Sequence, residues 1–360
     1  MFRKIIFWLH LGSGVITGLV VAMMSVTGVF LTYQTQVFAW SDHAYYRDST
    51  AIEETLRPAE TFIAAAQASD LNVTSLKYWN DPAAPVLASG GRGEGSLFID
   101  AYTGEVLGEP SQAIRNLFST VTRWHRWFNA TGESRQTARL ITGVSNLAFL
   151  FLILSGMYLW LPKLIRWPLL RERLTFSSRN NTTQQRDFNW HHVFGIWSAV
   201  PLVIVIATAS VFSFSWANDL VYTIAGEDPP SRGSRSAPVS PAVSSNQSNS
   251  NPRRLPLDDL LTTAMAKNDD WKTITLTVPK RGDDEVSFRI DTGSGRQPQY
   301  QSTLNVDAAT GQTLGYETLA DRSPGRQARS WIRFLHTGEA LGFFGQTIAG
   351  LVSLTSLFMV

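Results

Sequence analysis

The chain has 360 residues, a formal net charge of +2 and no cysteine. The lack of cysteine excludes disulfides, iron–sulfur clusters and covalently attached c-type haem. The small charge offers no basis for a nucleic-acid partner.

Charged residues make up 17% of the chain, below the level of ordinary soluble domains. They are unevenly spread, with apolar blocks alternating with polar ones, as in a chain that partly lies in lipid. The first apolar block runs from Ile5 to Tyr33 and contains no Asp, Glu, Lys or Arg. It is long enough to cross a bilayer. Arg3 and Lys4 precede it, as in a signal peptide. The apolar run is longer than an h-region and no A-x-A site follows, so residues 1–36 are predicted to be an uncleaved first span. His10 is the one ionisable side chain inside it, and such a residue is a functional candidate by default. Gly14 and Gly18 follow at one-turn intervals on the same face. That smooth stripe suits either a large flat ligand or close helix packing.

Residues 37–112 form a polar block. A helix at 58–69, strands at 72–79 and 85–89, and the hairpin FIDAYTGEVLGE (Phe98–Glu109) predict a small α+β module. GGRGEG at 90–95 lies between strands and reads as a loop, so no nicotinamide or flavin site is expected. Residues 113–139 are read as an interfacial segment, because IRNLFSTVTRWHRWF at 114–128 is aromatic and basic. On a straight helix, His125 would lie about 22 Å before Leu140. A break at Asn129–Gly132 would instead let the segment fold back along the surface. The second span is 140–162.

The loop 163–187 carries Lys163, Arg166, Arg171, Arg173, Arg179 and Arg186 against two acidic residues, Glu172 and Asp187. A short basic loop is cytoplasmic. The N-terminus lies on the same side and both polar blocks lie outside, in the periplasm of a bacterial inner membrane. The third span, within 188–217, opens with WHHVFGIW. Residues 218–252 are read as a disordered linker, because 229–252 is rich in Pro, Ser and Asn. Residues 253–325 predict a second module, with a helix at 256–267, strands at 272–278 and 285–291, and the hairpin LNVDAATGQTLGYE (Leu304–Glu317). Residues 326–360 are a second interfacial segment and the fourth span.

The chain repeats itself. Both hairpins read D-A-x-T-G-x-x-L-G, at Asp100 and Asp307. When His10 is aligned with His191, Gly14 meets Gly195 and Thr27 meets Thr208. Spans 2 and 4 align on Gly143 and Gly350, each preceded by TGE (Thr131–Glu133 and Thr337–Glu339), with His125 and His336 just before. The predicted architecture is a mainly α membrane protein, a bundle of four transmembrane helices with two small α+β periplasmic modules. On this alignment the fourth span stops at Val360, opposite Ile153, where span 2 runs on as LSGMYLWLPK. A longer fourth span with a basic anchor is expected.

There are six histidines. His43, in WSDHAYY, reads as a surface residue. His191 and His192 point about 100° apart on a helix, and the alignment with His10 selects His191. Topology puts His10 and His191 at the cytoplasmic end of the bundle and His125 and His336 at the periplasmic end. Two histidines at each face suit two bis-imidazole haems, with Gly14 and Gly195 making room for the porphyrins. Two axial histidines leave no open position, so such haems carry electrons. Arg123 and Arg126 are placed to meet haem propionates or lipid phosphates.

FWLHLGSG…TGVFLTY in the first span, WHHVFGIW in the third and the paired D-A-x-T-G-x-x-L-G hairpins together resemble the PepSY-associated transmembrane family. This family includes iron-regulated inner-membrane proteins and ferric-siderophore reductases. The resemblance covers nearly the whole chain outside 229–252. It implies four helices, two PepSY modules, two haems b held by His10, His125, His191 and His336, and electron transfer from an unknown donor to a ferric siderophore. The expected function is thus that of a haem-dependent oxidoreductase. The alternative is a non-enzymatic membrane protein whose PepSY modules bind or regulate a periplasmic partner, with structural histidines. A transporter would show an interrupted helix pair, which is absent from the sequence pattern.

Overall fold

The computed structural model describes residues 1–48, 55–91, 93–177, 182–230 and 254–359. In chain order the helices and strands are α1 (Phe2–Leu31), α2 (Gln34–Asp42), α3 (Ala59–Gln67), β1 (Val73–Trp79), β2 (Val86–Gly90), β3 (Ser96–Ile99), β4 (Val106–Gly108), α4 (Gln112–Trp127), α5 (Ser134–Trp160), α6 (Trp167–Leu174), α7 (Thr183–Ser213), α8 (Ser215–Ile224), α9 (Leu257–Met265), β5 (Thr273–Thr277), β6 (Glu285–Asp291), β7 (Gln301–Asp307), β8 (Thr313–Glu317), α10 (Pro324–His336) and α11 (Gly342–Met359). They form two units. One comprises residues 1–35, 116–229 and 324–360, the other 36–115 and 230–323.

The first unit is a helical bundle built on four helices long and apolar enough to cross a membrane. α1 packs on α5, α5 on α7, α7 on α11 and α11 on α1, so the four close into a ring with α1 diagonal to α7. Its packing is that of a protein in lipid. Large apolar side chains face outward: Val15, Ile16 and Leu19 are 78%, 81% and 85% exposed. Small and polar residues face inward, among them Thr17, Gly18 and Ser25 of α1 and Ser356 of α11. In lipid the apolar faces gain nothing from burial, so helices associate through close backbone approach and interhelical hydrogen bonds. Ser25 and Ser356 share such a bond at 2.7 Å. Asn146 Nδ2 donates to the Ile206 carbonyl and to Ser210 Oγ, both at 3.0 Å.

α4 and α10 are amphipathic helices that precede α5 and α11. Between α4 and α5 the chain reverses through Phe128, Asn129 and Gly132, all at positive φ. Between α10 and α11 it reverses at Gly338, φ +76°. The repeated TGE motif thus marks two equivalent reversals. Its second glutamate is buried: Glu339 accepts from Thr35 Oγ1 (3.1 Å) and Thr337 Oγ1 (2.7 Å).

Two sequence expectations are corrected here. Residues 218–224, assigned to the linker, belong to helix α8, which follows α7 as α2 follows α1. The remainder of that linker assignment, from 231 on, lies outside the described residues. The basic loop 163–187 contains helix α6, and α7 begins within it at Thr183, where Thr182 Oγ1 accepts from the Gln185 N–H as an N-cap.

The second unit holds the two modules, which share a single antiparallel sheet in the order β4-β3-β2-β1-β5-β6-β7-β8. The two modules are joined edge to edge, because β1 pairs directly with β5, with Leu76 opposite Leu276 and Tyr78 opposite Ile274. α3 and α9 cover one face. Phe62, Ala66, Leu260 and Ala264 pack there on Leu76, Ile274, Leu276, Phe288, Ile290 and Leu304. Each large side chain so buried contributes about 1.5–3 kcal/mol. A one-residue slip would turn this apolar set to the other face, so the pattern holds the register. The two helices also cap one another. The Ala59 N–H donates to Asp258 Oδ1 at 3.0 Å, and the Leu257 N–H donates to Glu60 Oε1 at 3.1 Å. Each acid thereby satisfies an orphan N–H at the other helix's start.

The D-A-x-T-G repeat is a turn device. Asp100 Oδ1 accepts from the backbone N–H of Tyr102 (2.9 Å) and Thr103 (2.8 Å). Asp307 Oδ1 accepts from Ala309 (3.0 Å) and Thr310 (2.7 Å). Burial pushes the Asp100 carboxyl up, but the Thr103 and Tyr102 bonds and the Arg47 guanidinium, 2.9 Å away, outweigh it and hold it low.

Asp100→Asn should therefore destabilise the sheet unit by about 1–3 kcal/mol, and Asp307→Asn by less, because only Asp100 is both buried and ion-paired. A depressed carboxyl stabilises above its unfolded value and loses that contribution as pH falls. The gap between wild type and Asp100→Asn should thus close below about pH 4. Thermal unfolding of the full chain from pH 3 to 7 measures both. In the bundle, a Cβ on Gly132 would meet nothing within 4 Å, whereas one on Gly338 would lie 2.3 Å from the Gly345 carbonyl oxygen. Gly132→Ala should cost about 1–2 kcal/mol, the left-handed penalty alone. Gly338→Ala should cost clearly more, read as melting temperature in detergent.

Candidate functional site: two facing histidine pairs

Four of the six histidines meet in two pairs across the bundle. His10 of α1 faces His191 of α7 with ring centres 6.4 Å apart and planes at 82°. His125 of α4 faces His336 of α10 with ring centres 6.5 Å apart and planes at 54°. The pairing follows from the ring of helices, since α1 and α7 are diagonal and their inward faces look at one another. His125 is not left on the surface by the reversal after α4. It reaches α1, where its Nδ1 lies 2.9 Å from Thr27 Oγ1. His336 correspondingly lies 3.3 Å from Thr208 Oγ1 of α7. Along α1, His10 and Thr27 are about 25 Å apart, so the pairs occupy opposite ends of the bundle.

Every imidazole is held through Nδ1 or by a neighbouring carbonyl. His10 Nδ1 lies 2.9 Å from Ser155 Oγ. His336 Nδ1 also donates to the Val205 carbonyl at 2.9 Å. His191 is within reach of the Met359 carbonyl. His192 is turned away: its Nδ1 donates to the Phe188 carbonyl at 2.8 Å and its ring rests on Phe188. His43 stacks on Tyr46 in the other unit.

His125 and His336 lie on α4 and α10, outside the four spans. Burial, with the charges of His336 and Arg126 beside it, pushes the His125 imidazole down to about 4. Burial and Arg126 push His336 down as well. Both are neutral at physiological pH, the form that binds a metal. A small pocket of about 60 Å³ adjoins this pair, lined by Val21, Met24, Phe149, Leu202, Ile206 and Ala209 among others.

These residues fit a haem. A nitrogen about 2 Å from a metal, with its ring centre about 1.1 Å behind, puts two opposed imidazole centres about 6.2 Å apart. Both pairs have this spacing. Among the described residues no group of three or more His, Cys, Asp or Glu could hold a metal ion. Two imidazoles would supply two ligands to a haem iron, and a porphyrin would bring the remaining four.

A Cβ on Gly14 would come within 4 Å of Leu152 alone, at 3.9 Å, so the space beside Gly14 is open. The glycine beside His10 is Gly156, where a Cβ would stand 3.3 Å from the ring. A Cβ on Gly195 would meet Met359 at 3.6 Å, and one on Gly28 would meet Ser353 and His125. Arg123, the other propionate candidate, is engaged within the protein. It donates to Asn129 Oδ1, Ser119 Oγ and Thr120 Oγ1 within its own helix and turn, fastening the reversal. Arg126 stays near the histidines, its guanidinium over Trp127, with Arg135 over the same ring. Burial, then Arg139 and Arg135, push the Arg126 guanidinium down, so an anion there would relieve the crowding.

Ser155 and Gly156 carry no sequence signal, because nothing in the spacing of span 2 ties them to His10. Thr27 and Thr208 do align in the repeat, yet their role is visible only once α4 and α10 are folded back. No curated protein matches the chain. It matches the PepSY-associated TM region across residues 7–360, and with its four apolar helices it is a membrane protein belonging to that family.

Proposed function

We propose that the chain is a di-haem b electron-transfer protein of the bacterial inner membrane that reduces ferric siderophore in the periplasm and releases Fe(II). The observation that carries this reading is the spacing of the two histidine pairs, 6.4 and 6.5 Å between ring centres. His10 and His191 would hold one haem, His125 and His336 the other, each iron supplying one-electron transfer when bound. Arg126 is suited to a propionate of the second.

The protein's own side chains do the rest. The diagonal helices set the imidazoles opposite one another, Nδ1 contacts orient their rings, and the lipid-facing apolar side chains exclude water. The basic 163–187 loop and Arg3 and Lys4 favour a cytoplasmic N-terminus. On that orientation an as yet unidentified reductant meets the His10/His191 end, and the ferric chelate meets the His125/His336 end. The sheet unit then lies in the periplasm, and its two α-β-β-β-β modules are read as PepSY modules. Fe(III) in hard oxygen donors is held tightly; one added electron gives Fe(II), which those donors hold more weakly.

The purified protein should be red, with a low-spin b-type spectrum and two haems per chain. His10→Ala and His191→Ala should each remove one and the same haem, and His125→Ala and His336→Ala the other. His192→Ala should keep both. Haem per protein with a redox titration of each variant checks this. If full haem supplementation leaves the wild type with no Soret band, the histidines are structural and the binding or regulatory reading stands. Reporter fusions near Pro241 should be active only in the periplasm; cytoplasmic activity would reverse the orientation.

A further inference from the structure

We propose that Thr27, Thr208 and Ser155 are positioning residues that fix the tautomer of three of the four facing imidazoles and lower the reduction potential of the iron those imidazoles hold. The inference rests on the haem reading above.

It follows from counting protons. A hydroxyl has one proton to donate. Thr27 Oγ1 lies 2.7 Å from the Met23 carbonyl and 3.1 Å from that of Met24. Carbonyls only accept, so the Thr27 proton is committed there, and toward His125 Nδ1 at 2.9 Å the oxygen can only accept. His125 must then carry its proton on Nδ1 and its lone pair on Nε2. Ser155 repeats the arrangement for His10. Its Oγ donates to the Phe151 carbonyl at 2.6 Å and so accepts from His10 Nδ1 at 2.9 Å. Thr208 Oγ1 lies 2.7 and 2.8 Å from the Ile204 and Val205 carbonyls and accepts from His336 Nδ1 at 3.3 Å. The reverse arrangement, with the hydroxyl donating to Nδ1, would leave Nε2 protonated and unable to bind a metal.

The arrangement has a direction. A ligating imidazole whose far N–H donates a hydrogen bond is a more basic ligand. A more basic ligand stabilises Fe(III) over Fe(II) and lowers the potential. At the His125/His336 pair both rings have a hydroxyl behind them. At the other pair, among the described residues, only His10 does; a backbone carbonyl stands beside every ring, Leu152 at His10, Met24 at His125, Met359 at His191 and Val205 at His336.

The test is a spectroelectrochemical titration of the full, haem-loaded chain in detergent. Thr27→Val keeps the side-chain shape and removes the hydroxyl. It should retain two haems and shift one redox wave to higher potential. Thr208→Val should shift the same wave, by less, because its bond is longer and shared with Val205. Ser155→Ala should raise the other wave. Thr27→Ser should return the first wave to its wild-type position, which a role in packing alone would not require. Haem-loaded variants whose waves do not move, or in which Thr27→Val and Ser155→Ala move the same wave, overturn the inference and leave the haem reading intact. Should Thr27→Val lose its haem, Thr208→Val and Ser155→Ala decide, and no shift in either overturns it. A wild type with no haem spectrum fails the haem reading, and this inference falls with it.

Discussion

An imidazole can offer a lone pair only from the nitrogen that carries no proton. In a medium without water, the other nitrogen must find its own partner. Most features of the bundle serve that constraint. The hydroxyls behind the rings have hydrogen bonds of their own to carbonyls one turn back, so their protons are not left unpaired. Four helices in a closed ring put α1 diagonal to α7 and turn the pairs inward. The amphipathic α4 and α10 bring a second pair into the opposite end from sequence positions that lie outside the spans.

The two units apply one design rule in two solvents. In the sheet unit, water drives large apolar side chains inward, and Phe62 and Leu260 of the two helices and Phe288 of the sheet are fully buried between them. In the bundle, large apolar side chains point outward and small polar ones inward. Both units are built by duplication, and both halves meet across a local two-fold. β1 pairs with β5 and the starts of α3 and α9 cap one another in the sheet unit, while α1 faces α7 in the bundle. Duplication sets two like imidazoles opposite one another in each pair.

Duplication is also where the halves diverge. Thr27 and Thr208 are equivalent in the repeat, but His125 takes a hydroxyl at 2.9 Å and His336 shares its N–H between a carbonyl and a more distant hydroxyl. Ser155 backs His10 in addition to the Leu152 carbonyl, whereas His191 has the Met359 carbonyl. A symmetric scaffold thus carries an asymmetric second layer. That layer is the part of the site able to set the two pairs apart electronically.

The amino-acid sequence by itself determined the spans, the repeat and the histidines. Hydropathy is a property of composition along the chain, alternation and Thr-Gly turns are local, and a duplicated motif needs no tertiary structure to be seen. The four histidines therefore stood out as candidates, and the alignment with His10 set His191 ahead of His192. Tertiary structure alone decided the rest. That the modules share one sheet depends on a β1–β5 pairing between strands nearly two hundred residues apart, for which no local signal exists. Helix α8 was hidden by its neighbouring Pro- and Ser-rich stretch. Arg123 could be aimed at its own turn only once Phe128 and Asn129 had entered the left-handed region. Ser155 and Gly156 acquire their meaning from a histidine on another helix. A side chain's hydrogen-bond partner across a bundle is set by helix rotation and packing, which one strand of sequence does not encode locally.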